Sequence, residues 1–310
     1  MDRRRTSCAS RANGSRRAAS YASCVALLRI HDLHDIVAPT VVVAFDAWVD
    51  AGSAATNALE AIVDSDARPV ATFEADVLYD YRARRPTLDI VDGRPSNLDW
   101  PELAVRRTTL TDRDVLVLSG PEPDFRWREL ADDLISFSRQ LEVAQWITLG
   151  AIPAAVPHTR PVPILGTESS PGLLRANVQP GPAGLLRVPA ACVSVLDISI
   201  ADAGIPTIGY FAQVPHYISG EYSTAAIALL ETLSQHLDVP IEVGALRAEA
   251  TLLRDRLDSA TAADEKTRTY VERLEAMVDE SRLPAGDELI SDIERFLRER
   301  GNEPGHGQVH

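Results

Sequence analysis

Two histidines in this chain follow a proline inside a loop, in Pro157-His158-Thr159-Arg160 and in Pro215-His216-Tyr217. An imidazole titrates near neutrality, so each is a candidate general acid or base, and each could equally be a hydrogen-bonded structural residue. Carboxylates that could complement them stand at Asp46 and Asp50, on either side of Trp48, and at Glu122 just after Gly120. Asp50 or Ser53 could instead cap a helix, with Trp48 a packed anchor. Ser169 or Ser170 can be drawn with His158 or His216 and Asp46 as a nucleophilic triad, but no spacing rule supports it. His31 and His34, with Asp32 and Asp35, have the look of a metal site. The stretch offers no second ligand pair, so solvated loop histidines are expected and no metal is assigned. Arg82, Arg84 and Arg85 follow Tyr79, Asp80 and Tyr81. They could fork onto an anion, pair with Asp80 and Asp89, or face another subunit, since tyrosine and arginine are enriched at interface hot spots.

The elements that carry these residues follow from period and punctuation. Thr40-Val-Val-Val-Ala-Phe45 is a β-branched run suited to a strand buried on both faces. Past Asp46 and Gly52 the period changes, and Leu59, Ile62 and Val63 suit a helix packed tightly on a sheet. Asp114–Ser119, Gln145–Leu149 and Ile205–Phe211 read as further buried strands, with Gly150 closing the third. Val25–Ile30 reads as a short edge strand, Arg68–Phe73 as the next strand, and Pro163–Thr167 as another. Phe125–Leu141, with Asp124 as its cap, Leu185–Ala203 and Glu221–Leu237 have helical spacing. Four apolar strands each run into a cluster of glycine, proline and polar groups: 46–52, 120–124, 150–160 and 213–217. In a parallel sheet those clusters converge along one edge, where open α/β sheets bind ligands. That convergence places the site.

Two arms around Pro86, over residues 76–93, predict a projecting hairpin. From residue 242 to 300 the composition turns highly charged, and three apolar stripes predict three amphipathic helices, as a lid or a partner-binding arm. Their markers are Leu246, Leu253 and Leu257; Val271, Leu274 and Val278; and Leu289, Ile293, Phe296 and Leu297. The sequence thus divides into a basic leader (1–24), an α/β core (25–241), the helical region (242–300) and a tail (301–310), with leader and tail expected to be disordered.

Composition narrows the chemistry. The net charge is −14, although residues 1–24 alone hold six arginines against one aspartate. The acidic remainder repels nucleic acid. Lys266 is the single lysine, which leaves Schiff-base and phosphate-loop chemistry almost without a candidate. The nucleotide-binding glycine motifs, GxSxG and HExxH are all absent. No apolar run is long enough to span a membrane. Three widely spaced cysteines suit a reducing cytoplasm. No cofactor is specified.

Five segments in order, FDAWVDAGSAAT, DYRARRP, LSGPEPDFRW, PHTRP and GIPTIGYFAQVPHY, resemble the proteasome assembly chaperone family in its actinobacterial branch. The resemblance covers roughly residues 25–300. The chain departs from the pattern in its basic leader and in Phe45-Asp46-Ala47-Trp48, which replaces a more usual small or glycine-containing turn. The resemblance implies a three-layer α/β core with a mostly parallel sheet, similar to nucleoside phosphorylases and some peptidases. It also implies a hairpin insertion used in oligomerisation, with Tyr79, Tyr81, Arg82 and Arg85 at the interface, and C-terminal helices covering a cleft. The implied assembly is a homo-oligomer, a trimer being one arrangement. By motif match Asp46, Trp48, Asp50, Gly120, Glu122, His158, Arg160, His216 and Tyr217 line the cleft, none with an assigned catalytic role. Two functions follow: a small-ligand-binding protein, or a non-enzymatic chaperone or adaptor that binds a protein partner such as a proteasome component.

Overall fold

A computed structural model describes residues 27–64, 66–176, 178–181 and 184–281. The chain enters through β1 (Leu28–Ile30) and then β2 (Thr40–Asp46) at the centre of the molecule. Alternate side chains of β2 enter separate apolar clusters: Val41, Val43 and Phe45 on one face, Val42 and Ala44 on the other. This two-sided burial is what the β-branched run demands. The helix α1 (Ala54–Glu60) follows, lining its inner face with Ala54, Ala55 and Ala58. Such small residues let it lie close against a later helix. Gly52 makes the turn, with φ of 66°, and a Cβ there would sit 2.8 Å from the Tyr222 Cβ.

Next come β3 (Pro69–Phe73) and the short helix α2 (Ala75–Leu78). The hairpin is displaced from its expected place: its strands are β4 (Thr87–Val91) and β5 (Arg94–Asp99). The turn is Asp92-Gly93, both with positive φ, rather than Pro86. An Asp-Gly pair is the stronger hairpin signal, and proline belongs just before a strand. This ribbon forms its own two-stranded sheet, separate from the main one.

The strand β6 (Ala104–Leu110) was hidden in the sequence by Arg106 and Arg107, and it pairs antiparallel with β7 (Arg113–Pro121). The helix α3 (Trp127–Gln140) begins after Arg126, whose φ is 59°; no side chain caps it. Asp124, expected to be that cap, instead accepts from the Asp80 N–H at 2.8 Å. The strand β8 (Gln145–Ala154) runs past Gly150, and β9 (Ile164–Glu168) and β10 (Gln179–Pro180) complete one edge of the sheet. The helix α4 (Cys192–Asp202) is seven residues shorter at its start than the apolar run suggested. Pro189 disfavours helix in the residue before it, and Leu185, Leu186 and Val188 are left exposed. Then follow β11 (Thr207–Pro215), α5 (Ser223–Leu237), α6 (Gly244–Ala263) and α7 (Glu265–Ser281). The third C-terminal stripe, the leader and the tail lie outside the described residues.

The main sheet has nine strands in the order β1-β3-β6-β7-β2-β8-β11-β9-β10. Its centre, β7-β2-β8-β11, is parallel throughout. Side chains of α3 and α4 pack on one face, and those of α1 and α5 on the other. The result is a three-layer α/β core, with α6 and α7 laid beyond α5.

Candidate functional site

The carboxyl ends of β7, β2, β8 and β11 lie side by side, with Asp46 opposite Pro121 and Phe211 opposite Gly150. The nine expected cleft residues reach this edge and then divide into two groups.

On the β8 and β11 side, His158, Arg160, His216 and Tyr217 are gathered beneath the C-terminal helices. The Tyr217 hydroxyl accepts from the His158 backbone N–H at 2.7 Å and lies 2.7 Å from Nδ1, to which it donates its own proton. Nε2 therefore carries hydrogen and donates to Asp258 on α6 at 3.1 Å. His158 is only 2% exposed, and burial pushes its pKa down against the opposing pull of Asp258. Arg254 closes this group, donating to the His158 carbonyl at 2.8 Å while Nε reaches Asp258. Arg160 pairs with Glu275 at 3.1 Å and Asp279 at 2.8 Å on α7, and the Thr159 hydroxyl also donates to Glu275. His216 donates from Nδ1 to the Ala154 carbonyl, so its Nε2 accepts from the Tyr270 hydroxyl at 3.1 Å. Both imidazoles thus have both nitrogens engaged. Chemically, this half is a polar clasp holding α6 and α7 to the core.

On the β2 and β7 side the edge is open. Asp46 and Gly120 line a groove of about 830 Å³ beside α1, with Glu60, Asp64, Glu102 and Glu221 supplying further carboxylates. Its arginine, Arg106, is paired with Glu102 at 2.9 Å. Gly120 is required, since a Cβ would stand 2.3 Å from the Glu102 carbonyl oxygen. Asp50 turns inward and caps α1, accepting from the Ala55 N–H at 2.7 Å and the Thr56 hydroxyl at 2.5 Å. Glu122 caps α4 in the same manner, accepting from the Cys192 N–H at 2.6 Å. Trp48 is 68% exposed. The triad is not assembled: Ser169 accepts from the Thr207 N–H at the start of β11, whereas His216 follows the end of that strand. Among the described residues no His, Cys, Asp and Glu group could hold a metal.

Exposed apolar side chains occur on several segments that are tied to this half of the edge. Phe125, 51% exposed, follows β7, and its backbone N–H is bound to the Leu78 carbonyl. Leu185, Leu186 and Val188 precede Cys192, which Glu122 holds to the same edge. The hairpin adds Leu88 and its cross-strand partner Leu98, with Ile90 two residues along on the same face. At its base Trp100 packs edge-on against Tyr81, ring centroids 4.8 Å apart. Of the four expected interface residues, Tyr79 is buried with its hydroxyl on the Pro121 carbonyl. Tyr81 donates to Asp76, Arg82 folds back on Asp80, and Arg85 is exposed.

Two further ionisable groups stand away from this edge, His236 buried and Asp197 half-buried. His236 is 1% exposed, between the Tyr210 hydroxyl at 2.7 Å and the Gln145 side chain at 3.1 Å. Burial holds its pKa down at about 4. Asp197 on α4 accepts from the Trp146 indole and the Thr148 hydroxyl, and desolvation pushes its carboxyl up to about 7. Asp258, Tyr270, Glu275 and Asp279, the helical half of the clasp, went unnoticed in the sequence. The trace that they leave is carboxylates spaced at i, i+4 on charged helices, the ordinary look of a solvated face.

The PAC2 family model matches residues 44–261, from the end of β2 through β7, β8 and β11 and into α6. The chain belongs to the PAC2 family. Solved structures of similar architecture include a Corynebacterium glutamicum protein of unknown function, 28% identical. That match covers 82% of this chain and 98% of that one, with a TM-score of 0.75. A Mycobacterium tuberculosis protein described as a proteasome-assembly chaperone homologue is 34% identical over 75% of this chain and 99% of its own, at 0.68. A PAC2 family protein from Streptomyces avermitilis is 31% identical with the same coverage, at 0.66. No curated protein matches the chain by sequence. Among the described residues of this PAC2 protein, no helix is long and apolar enough to cross a membrane.

Proposed function

We propose that this PAC2 chain is a non-enzymatic assembly adaptor that grips a protein partner with the open half of its strand-end edge. The supporting observation is the division of that edge. Its histidines and Arg160 are engaged in holding α6 and α7, while Trp48, Phe125, Leu185, Leu186 and the hairpin offer apolar surface to solvent. Exposed apolar patches of this kind mark protein-interaction sites. The name of the M. tuberculosis relative makes proteasome subunits the first partner to try. We further propose that the chain is a homo-oligomer, with Tyr81, Arg82 and Arg85 at the hairpin base near the contact, acting in the cytoplasm.

Native mass spectrometry of the full chain mixed with proteasome α-subunits tests the reading. A complex of fixed stoichiometry is expected, and Trp48→Ala with Phe125→Ala should remove it without changing the far-ultraviolet circular dichroism. A complex undiminished in the double variant would refute the reading. The groove beside Asp46 and Gly120 favours a second one, a small cationic ligand, which the same spectra would register as added mass on the chain alone.

A further inference from the structure

The groove beside α1 carries charge that nothing nearby balances. Asp46, Glu60, Asp64, Glu102 and Glu221 line it against a single cation, Arg106, which is spent on Glu102. Asp46, Glu60, Asp64 and Glu221 have no ion-pair partner among the described residues. A cleft walled by one sign of charge focuses its field and gathers counter-ions. Carboxylates alone would accept any cation, but the course of the chain brings a particular one to this place.

The register of the sheet fixes where the body begins. Arg29 of β1 stands opposite Thr72 of β3, Thr72 opposite Ala104 of β6, Ala104 opposite Ser119 of β7, and Ser119 opposite Ala44 of β2. Residues opposite one another share a face, and Ala44 packs in the cluster that holds α1, so Ser119 looks onto the α1 side and lines the groove. Because β1 runs antiparallel to β7, its first residue and not its last stands at the carboxyl ends of the central strands. Leu27 therefore lies on the groove's own edge, three strands from Ser119, or about 14 Å at the usual strand spacing. What precedes Leu27 is the leader, with Arg3, Arg4, Arg5, Arg11, Arg16 and Arg17 against Asp2 alone. Arg17 is ten residues before Leu27, a reach of about 33 Å in extended chain and more than twice the gap. Arginine forks onto carboxylates, and a tether of this length holds it near them at millimolar effective concentration.

We infer that the acidic groove beside α1 is a docking site for an arginine-rich segment, and that its occupant is this chain's own leader, through Arg16 and Arg17 first. The docked leader covers the mouth at Asp46 and Gly120, and a free cationic ligand has to displace it. The contact is independent of whether the apolar surface grips a protein partner.

Hydrogen exchange of the full chain at low ionic strength, read by mass spectrometry, is the test. One variant reverses the leader, Arg16→Glu with Arg17→Glu, and another reverses the groove, Glu60→Lys with Asp64→Lys. Each should speed exchange severalfold in peptides covering residues 54–64 and 102–106, as should high salt on wild type, while β2 and β8 stay unchanged. Joining the two reversals in one chain should restore the wild-type rates, which a mere loss of helix stability in the groove variant would not allow. Protection in wild type should not alter on dilution, since leader and groove belong to one chain. The inference fails if reversing the leader leaves exchange in the groove unchanged, or if the joint variant is not restored. It also fails if protection falls on dilution, which would make the occupant the leader of another copy.

Discussion

Acidification from pH 8 to pH 4.5 should cost the folded chain about 2.5 kcal/mol at one residue, His236. In the folded chain its pKa is about 4, because burial penalises the imidazolium, whereas an unfolded histidine titrates at 6.5. Between those values the unfolded chain takes up a proton that the folded chain refuses. Stability at this residue is therefore complete above pH 6.5, falls as the pH drops through 6.5, and levels off below about 4. The geometry agrees, since Nδ1 receives the Tyr210 hydroxyl proton and Nε2 donates to Gln145, so a second proton has no acceptor in place. The wild-type profile alone will not display this, because Asp197 titrates in the opposite sense over the same range. The measurement is urea unfolding of wild type and His236→Gln at pH 8 and pH 4.5. At pH 8 the variant should be less stable by about 1–2 kcal/mol, for lost hydrogen bonds and packing. At pH 4.5 the difference should vanish or reverse. An equal difference at both pH values would refute the assignment of His236 as a buried neutral histidine.

Asp197→Asn should act in the complementary direction. A carboxyl raised to about 7 loses stability as the pH climbs from 3.8 to 7. The full shift corresponds to about 4 kcal/mol, and the solvent-facing edge of this partly exposed residue reduces that to about 2 kcal/mol. The variant should thus gain about that much at pH 8 and little at pH 4.5, read from the same urea curves. In the clasp, Arg160→Ala should speed hydrogen exchange severalfold across α7 while leaving β2 and β8 unaffected. High salt should do the same to wild type, because these pairs are open to solvent. Unchanged exchange in α7 under both conditions would show that Val271 and Leu274, not the ion pairs, hold that helix.

The sheet was legible because its centre is written in a code with one reading. Val41–Phe45 has no polar position, and only a strand covered on both faces uses such a run. Convergence at the strand ends followed from topology alone. What the sequence did not convey was which polar residues are already taken. His158 reads as a free loop histidine until Asp258, a hundred positions later, is brought beside it. Asp50 and Glu122 look like site carboxylates, yet each accepts from a backbone N–H at the start of a helix, and in Glu122 the helix begins seventy residues away. The apolar run before Cys192 has helical composition but a proline that cuts it, and composition outweighed punctuation in that reading. Apolar residues at 48, 125 and 185–188 each looked incidental, and only the folded chain shows that all of them stay exposed on segments leading to or from the strand-end edge.

Among the described residues, the ribbon of β4 and β5 has two rims with no neighbouring strand. Exposed rims of this kind can template the stacking of one chain on another into fibres. Here Pro95 offers no N–H, and the register slips by one residue at Ser96, opposite Asp89 and Ile90, so the ladder is interrupted on β5. Asp89, Asp92 and Arg94 add charge close to the interruption. Lateral growth along β5 is thereby blocked, charge guards the β4 rim, and the broad side, bearing Leu88, Ile90 and Leu98, stays available. Whatever docks on this ribbon must come onto its flat side, and a concentrated solution of the protein should stay free of filaments even though the side is greasy.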